Sequence, residues 1–131
     1  MRPETWPALL DDYVGRARAA AFAWGSNDCV SFTCGWHQLM TGLDVYEPFR
    51  GKYDSETSAF RTMHTHGVTS MEGAGRFLFG AARRSYAFTK RGDIVYSQGA
   101  LGICIGKVGA FLTIDGLSFI DFPEFELGWS V

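Results

Sequence analysis

The chain has 131 residues, a formal net charge of -2, 20% charged residues and 47% hydrophobic residues. This composition is ordinary for one globular domain and excludes a disordered segment. The small net charge gives no electrostatic reason to expect a nucleic-acid partner, and no apolar run approaches the ~20 residues that span a bilayer. We expect no signal peptide, because Glu4, Asp11 and Asp12 interrupt the N-terminal apolar residues.

The chain is rich in aromatic residues and poor in cysteine. Aromatic residues make up 15% of the sequence and include 11 Phe and 4 Trp. A small core cannot easily bury so many, so we expect some of them at a protein interface. The three cysteines, Cys29, Cys34 and Cys104, are too few for a disulfide-stapled scaffold, and their number is odd.

The first 80 residues have helical patterns. A first helix is predicted from Pro7 to about Ala21, with Thr5 as its cap. The second helix is the best marked, because Asn27 or Asp28 can cap it and Gly42 can end it. Its predicted buried face consists of Cys29, Phe32, Thr33, Trp36 and Met40.

Two shorter helices are predicted next. Ser55 caps a third helix whose inward residues are Ala59, Phe60 and Met63, and Ser70 starts a fourth.

Strand patterns follow residue 86. Short apolar runs at 94–96, 101–105, 110–114 and 117–122 are separated by turn residues. Asp115-Gly116 between two of these runs is a strong hairpin signal. Helices followed by a meander of short strands predict an α+β fold, with N-terminal helices packed on a small antiparallel sheet. We predict a single domain over residues 1–131.

Cys29 lies at the predicted first turn of the second helix. The free N–H groups and the positive end of the helix dipole favour a thiolate there, as in papain-type nucleophiles. A small buried hydrophobic side chain is the alternative role for such a cysteine. Position alone leaves both roles open.

Three segments together resemble the NlpC-type cell-wall peptidases, which are small papain-fold enzymes. The first is FAWGSNDCV at 22–30, the second KRGDIVY at 90–96 and the third LGICIG at 101–106. The resemblance implies a papain-like fold with Cys29 as the nucleophile and a histidine at the start of the second strand as the base. The matching position is Ala100, which cannot accept a proton, and the third polar position falls near Thr113. The resemblance therefore implies a degenerate active site.

Other histidines are candidates to replace the missing base. His64 and His66 lie near a predicted helix end and could fold over a cleft, whereas His37 follows Cys29 by eight residues, or ~12 Å along one helix. The His64–His66 pair alone has the short spacing of zinc ligands. There is no glycine-rich phosphate loop, and we predict neither a metal nor a cofactor.

The sequence is more similar still to small uncharacterised proteins encoded in phage tail gene clusters. The shared features are the Trp-Gly and Asp-Cys pairs at 24–29, the segment Arg50-Gly51-Lys52-Tyr53, a late Asp-Gly-Leu at 115–117 and Trp129. This resemblance implies a virion protein of the tail tip, made in the host cytoplasm. Its implied partners are the hub, distal-tail and fibre-attachment proteins.

Two functions are therefore expected from the sequence. The first is a structural or interaction protein of the tail tip that has lost catalysis. The second is an active cysteine peptidase or amidase that cleaves peptidoglycan stem peptides during genome entry, with Cys29 as nucleophile and His64 or His66 as base.

The C-terminal run at 119–129 is apolar and has a loop-like pattern. Its candidate interface residues are Phe122, Phe125 and Trp129. The alternative is that this run closes the last strand over the sheet.

Overall fold

The computed structural model of the chain describes residues 2–131. Four helices come first in the chain: α1 (Trp6–Ala19), α2 (Cys29–Thr41), α3 (Glu56–Thr65) and α4 (Met71–Phe79). Five strands follow: β1 (Ile94–Ser97), β2 (Ala100–Cys104), β3 (Val108–Thr113), β4 (Gly116–Asp121) and β5 (Leu127–Trp129). The strands form one antiparallel sheet in the order β4-β3-β2-β1-β5. The predicted α+β class is confirmed.

Local capping signals set the ends of most helices. The Asp28 side chain accepts a hydrogen bond from the Ser31 N–H, so Asp28 rather than Asn27 caps α2. Ser55 and Ser70 cap α3 and α4 as predicted, and Gly42 ends α2 in the left-handed conformation with φ +78°.

The predicted first helix needs two corrections. Thr5 occupies the N-cap position of α1, but its side chain makes no capping hydrogen bond. The helix ends at Ala19 rather than Ala21, because Ala20 is already extended.

Helix α2 packs across the sheet and forms the centre of the main core. Its buried Phe32, Trp36 and Met40 pack with Leu101 and Ile103 of β2. The indole Nε1 of Trp36 donates a hydrogen bond to the Gly92 carbonyl at 2.7 Å, which satisfies its polar atom inside the core. This packing fixes the N-terminus of α2, and therefore Cys29, against the start of β2.

Phe60 does not face inward as predicted. Ala59 and Met63 of α3 are buried, but the Phe60 side chain is 46% exposed. Helix α3 is a short surface helix whose buried stripe is narrow. Phe60 follows Ala59 and lies ~100° further round the helix, so it falls outside this stripe.

Strand β5 was not predicted, and its position corrects two of the interface candidates. The strand is only three residues long, and the preceding Pro123 and Glu124 favour a loop, so residues 127–129 carry no strand pattern of their own. It pairs with β1, and the buried Trp129 donates from Nε1 to the Gly80 carbonyl at 2.9 Å. Phe125 is also buried, whereas Phe122 keeps an exposed side chain.

The two edges of the sheet differ. The backbone of Arg83 exchanges two hydrogen bonds with Gly128, at 2.8 and 2.9 Å, and covers the outer edge of β5. At the other end of the sheet, β4 pairs with β3 along one side and with no further strand of residues 2–131 on the other. No helix within the same residues is long and apolar enough to cross a bilayer.

Replacing Trp129 with alanine tests the structural role of β5. We expect Trp129→Ala to lower the free energy of unfolding by ~3–5 kcal/mol, because it empties a core site and orphans the Gly80 carbonyl. Phe122→Ala is the matched control and should cost less than about 1 kcal/mol, since that side chain is already exposed. Denaturant unfolding of the full chain measures both. Equal costs would contradict the assignment of Trp129 to the core.

Candidate functional site

The site is built around Asp28, the buried N-cap residue that precedes Cys29. Its Oδ1 accepts a hydrogen bond from the Ser31 N–H at 2.8 Å. Its Oδ2 accepts from the Gly25 N–H at 2.8 Å and from the Tyr53 hydroxyl at 2.6 Å. Three donors therefore satisfy a carboxylate that is only 2% exposed.

Two sequence motifs meet at this carboxylate. Gly25 has φ +86°, and a Cβ on it would lie 2.2 Å from the Tyr53 carbonyl oxygen, so this close approach requires glycine. The Tyr46 hydroxyl lies 3.1 Å from the Gly25 carbonyl and 3.0 Å from the Tyr53 hydroxyl. The Trp24-Gly25 turn and the Arg50–Tyr53 segment thus form one unit that holds Asp28.

The Cys29 thiol lies at the first residue of α2, and the residue is partly buried. Burial raises its pKa to about 12, and the neighbouring Asp28 carboxylate acts in the same direction. The backbone N–H of Leu101 is close enough to the sulfur to favour the thiolate, but burial outweighs it. The site therefore favours the neutral thiol, which is a poor nucleophile.

Ala100, at the base position that the NlpC resemblance implies, does not pack with α2. Leu101 packs in the main core with α2, whereas Ala100 packs against the second face of the sheet with Val95 and Phe111. This alternation follows from the period of two in a strand. The position predicted for the base thus carries a methyl group that packs away from the helix.

None of the three histidines reaches the Cys29 sulfur. His37 is buried near the end of α2, where Thr41 contacts its Nδ1 at 3.2 Å, and burial lowers its pKa. His64 is exposed in the last turn of α3. His66 lies against the Phe49 ring, with 5.3 Å between ring centroids, and lines a separate surface depression. No histidine of residues 2–131 hydrogen-bonds Cys29.

Thr113 uses its polar atoms within the hairpin between β3 and β4. Its hydroxyl donates to the Gly116 carbonyl at 2.8 Å and accepts from the Asp115 N–H at 3.3 Å. The predicted third position of a triad is therefore engaged in stabilising a turn.

A cavity of about 190 Å³ lies beside Cys29. Its apolar walls come from the loop before α2, the loop before α3, and helices α3 and α4. The principal apolar lining residues are Trp24, Phe49, Ala59, Met63, Met71 and Ala74. Sequence reasoning missed this cavity, because its walls are single residues from segments far apart in the chain.

The remaining cysteines and acidic groups add no second site. Cys34 and Cys104 are buried, and all three cysteines are free. Residues 2–131 contain no cluster of three or more His, Cys, Asp or Glu side chains placed to hold a metal ion.

Comparison with known proteins defines a family. A family model described as "Domain of unknown function (DUF6950)" matches residues 1–131. The chain therefore belongs to this family, whose description carries no activity. No curated protein and no solved structure matches the chain.

The thiol chemistry of Cys29 can be measured directly. We expect iodoacetamide to alkylate native Cys29 at pH 8 roughly a thousandfold more slowly than Cys29 in the urea-unfolded chain, where the thiol pKa is ~8.5. The native rate should keep rising with pH beyond 10, because the pKa is raised. Peptide mapping by mass spectrometry separates Cys29 from Cys34 and Cys104. A native rate that reaches a plateau near pH 7 would contradict the neutral-thiol assignment.

Proposed function

We propose that this chain is a structural or interaction protein of a phage tail tip, built on an NlpC-like papain fold that has lost catalysis. One observation carries the loss of catalysis: the Cys29 sulfur lies beside a carboxylate that disfavours its ionisation, and no histidine of residues 2–131 hydrogen-bonds it. Acyl transfer by a thiol needs a thiolate or a positioned base, and the site provides neither.

The architecture is compatible with the papain-like assignment. A cysteine begins a helix that packs against an antiparallel sheet, and the sulfur lies next to the first residues of β2. The phage context rests on the resemblance carried by Arg50–Tyr53, Asp115–Leu117 and Trp129. The structure gives two of these residues definite roles, because Tyr53 donates to the Asp28 carboxylate and Trp129 is buried in the core.

The alternative function is an active cysteine peptidase or amidase acting on peptidoglycan stem peptides. Two observations favour it: Cys29 occupies the N-terminus of α2, and it lines a cavity. This function requires a base from outside the present site, such as a histidine of a neighbouring protein or a rearranged His64 or His66.

Replacing Cys29 with alanine separates the two functions. In the phage that encodes this chain, we expect Cys29→Ala virions to retain wild-type infectivity within about twofold. We expect the purified full chain to release no soluble fragments from peptidoglycan. Cys34→Ala is the matched control for the loss of a buried thiol. Fragment release by the wild-type chain that Cys29→Ala abolishes would establish the peptidase instead.

An aromatic surface beside the short 3₁₀ helix at Phe122–Glu124 is the candidate contact with tail proteins. We define it by Tyr86, Phe88 and Phe122, of which Phe88 is 61% exposed. Tyr86 and Phe122 meet edge to face, with ring centroids 5.2 Å apart. Large aromatic side chains left exposed in this way are typical of interface hot spots.

Substitutions on this surface test the assembly role. We expect the double variant Phe88→Ser/Phe122→Ser to keep its unfolding midpoint within a few degrees but to be depleted at least tenfold from purified tails, because its aromatic anchors are lost. Quantitative mass spectrometry of purified tails measures the depletion. Ile114→Ser is the control, since Ile114 is an exposed apolar residue in the β3–β4 hairpin. Normal incorporation of the double variant would rule out this surface as the contact.

A further inference from the structure

We propose that the cavity beside Cys29 is a binding site for a compact, uncharged apolar group of benzene to indole size. The group can come from a free small molecule or from the side chain of a bound polypeptide. This assignment rests on the cavity itself, goes beyond the proposed function, and holds whether or not Cys29 is catalytic.

The volume of the cavity sets the size of the group. At about 190 Å³ it exceeds the ~150 Å³ of an engineered apolar cavity that binds benzene in another protein. Two small side chains, Ala59 on α3 and Ala74 on α4, leave this space open between the helices. Met63 and Met71 also line it, and their flexible thioethers can adjust to the outline of a ligand.

The lining of the cavity disfavours a charged ligand. Asp28 is the acidic side chain that lines it, and three internal donors already engage its oxygens. An ammonium group would find about one acceptor position left on Asp28 and would bury its other N–H groups against apolar walls, and a ligand carboxylate would face the Asp28 charge with no cation lining the cavity. Burying an unpaired charge costs far more than a few apolar contacts return. The neutral Cys29 thiol adds a weakly polar, polarisable wall.

The cavity is accessible from the surface. Gly99, in the turn between β1 and β2, lines the cavity and is exposed. Phe60 also lines it, and its side chain is half exposed. Phe60, which the sequence predicts to face inward, instead lies at the rim of the cavity. An apolar side chain at that position can guide a ligand into the site. An apolar group can therefore enter without unfolding the core.

The proposal is tested by comparing how neutral and charged probes of similar size bind to the full chain. Toluene and indole are the neutral probes, and benzylamine and benzoate are charged probes of matched size. We expect saturable chemical-shift changes at residues lining the cavity with the neutral probes, and at least tenfold weaker binding of the charged ones. N-acetylphenylalaninamide distinguishes the source: binding comparable to toluene favours a polypeptide side chain, and binding of toluene alone favours a free small molecule.

A second test fills the cavity with a larger side chain. We expect Ala74→Leu to weaken toluene binding at least tenfold, because the added carbons occupy the same space. If Ala74→Leu does not fold, Ala59→Val provides the same test, because Ala59 lines the cavity from α3. Ala20→Leu is the control, since Ala20 is exposed beyond the end of α1 and does not line the cavity.

Three results would overturn the proposal. They are absence of saturable binding of both neutral probes to the wild-type chain, undiminished binding to a folded filled variant, or tighter binding of benzylamine than of toluene. None of these depends on whether the chain cleaves peptidoglycan or is incorporated into tails. Failure of this site is therefore separable from failure of the proposed function.

Discussion

The Asp28 carboxylate is the interaction on which the rest of the site depends. It caps α2 through the Ser31 N–H and holds the preceding turn through the Gly25 N–H. It also anchors the 50–53 loop through the Tyr53 hydroxyl. A single buried charge thus connects a helix, a turn and a loop that are distant in sequence. The energy of each charge-assisted hydrogen bond, about 1.5–3 kcal/mol, explains why the carboxylate can be buried without a salt bridge.

This arrangement changes the chemistry available at the neighbouring cysteine. A helix N-terminus ordinarily stabilises a thiolate through its partial positive charge. Here burial is the main cause that raises the pKa of the Cys29 thiol, and the neighbouring Asp28 charge acts in the same direction. The Ser31 N–H is bonded to Asp28, and the backbone N–H groups that favour the thiolate do not outweigh these two effects. The neutral thiol is favoured at this cysteine, because the sulfur lies beside the capping charge and no histidine of residues 2–131 hydrogen-bonds it.

Local signals in the sequence predicted much of the fold. The Asp28, Ser55 and Ser70 caps, the Gly42 stop and the Asp115-Gly116 hairpin each depend on a few neighbouring residues, and the structure confirms them. Strand β5 was missed because its stability comes from pairing with β1, and a three-residue strand carries almost no pattern of its own. In the site, the helix-capping pattern predicted that Asp28 and Cys29 lie at the N-terminus of α2. The contacts of Tyr46 and Tyr53 could not be found that way, since they depend on how the 46–53 loop returns to α2.

The asymmetry of the sheet limits how this domain can associate through backbone pairing. Arg83 pairs with Gly128 at the β5 edge, so within residues 2–131 β4 is the edge strand whose outer main-chain groups pair with no other segment. Two copies joined along β4 would use up that edge in a closed, two-fold pair, and no second edge would be left for continued growth. A sheet with one open edge favours a closed pair or the addition of one foreign strand over continued edge-to-edge growth.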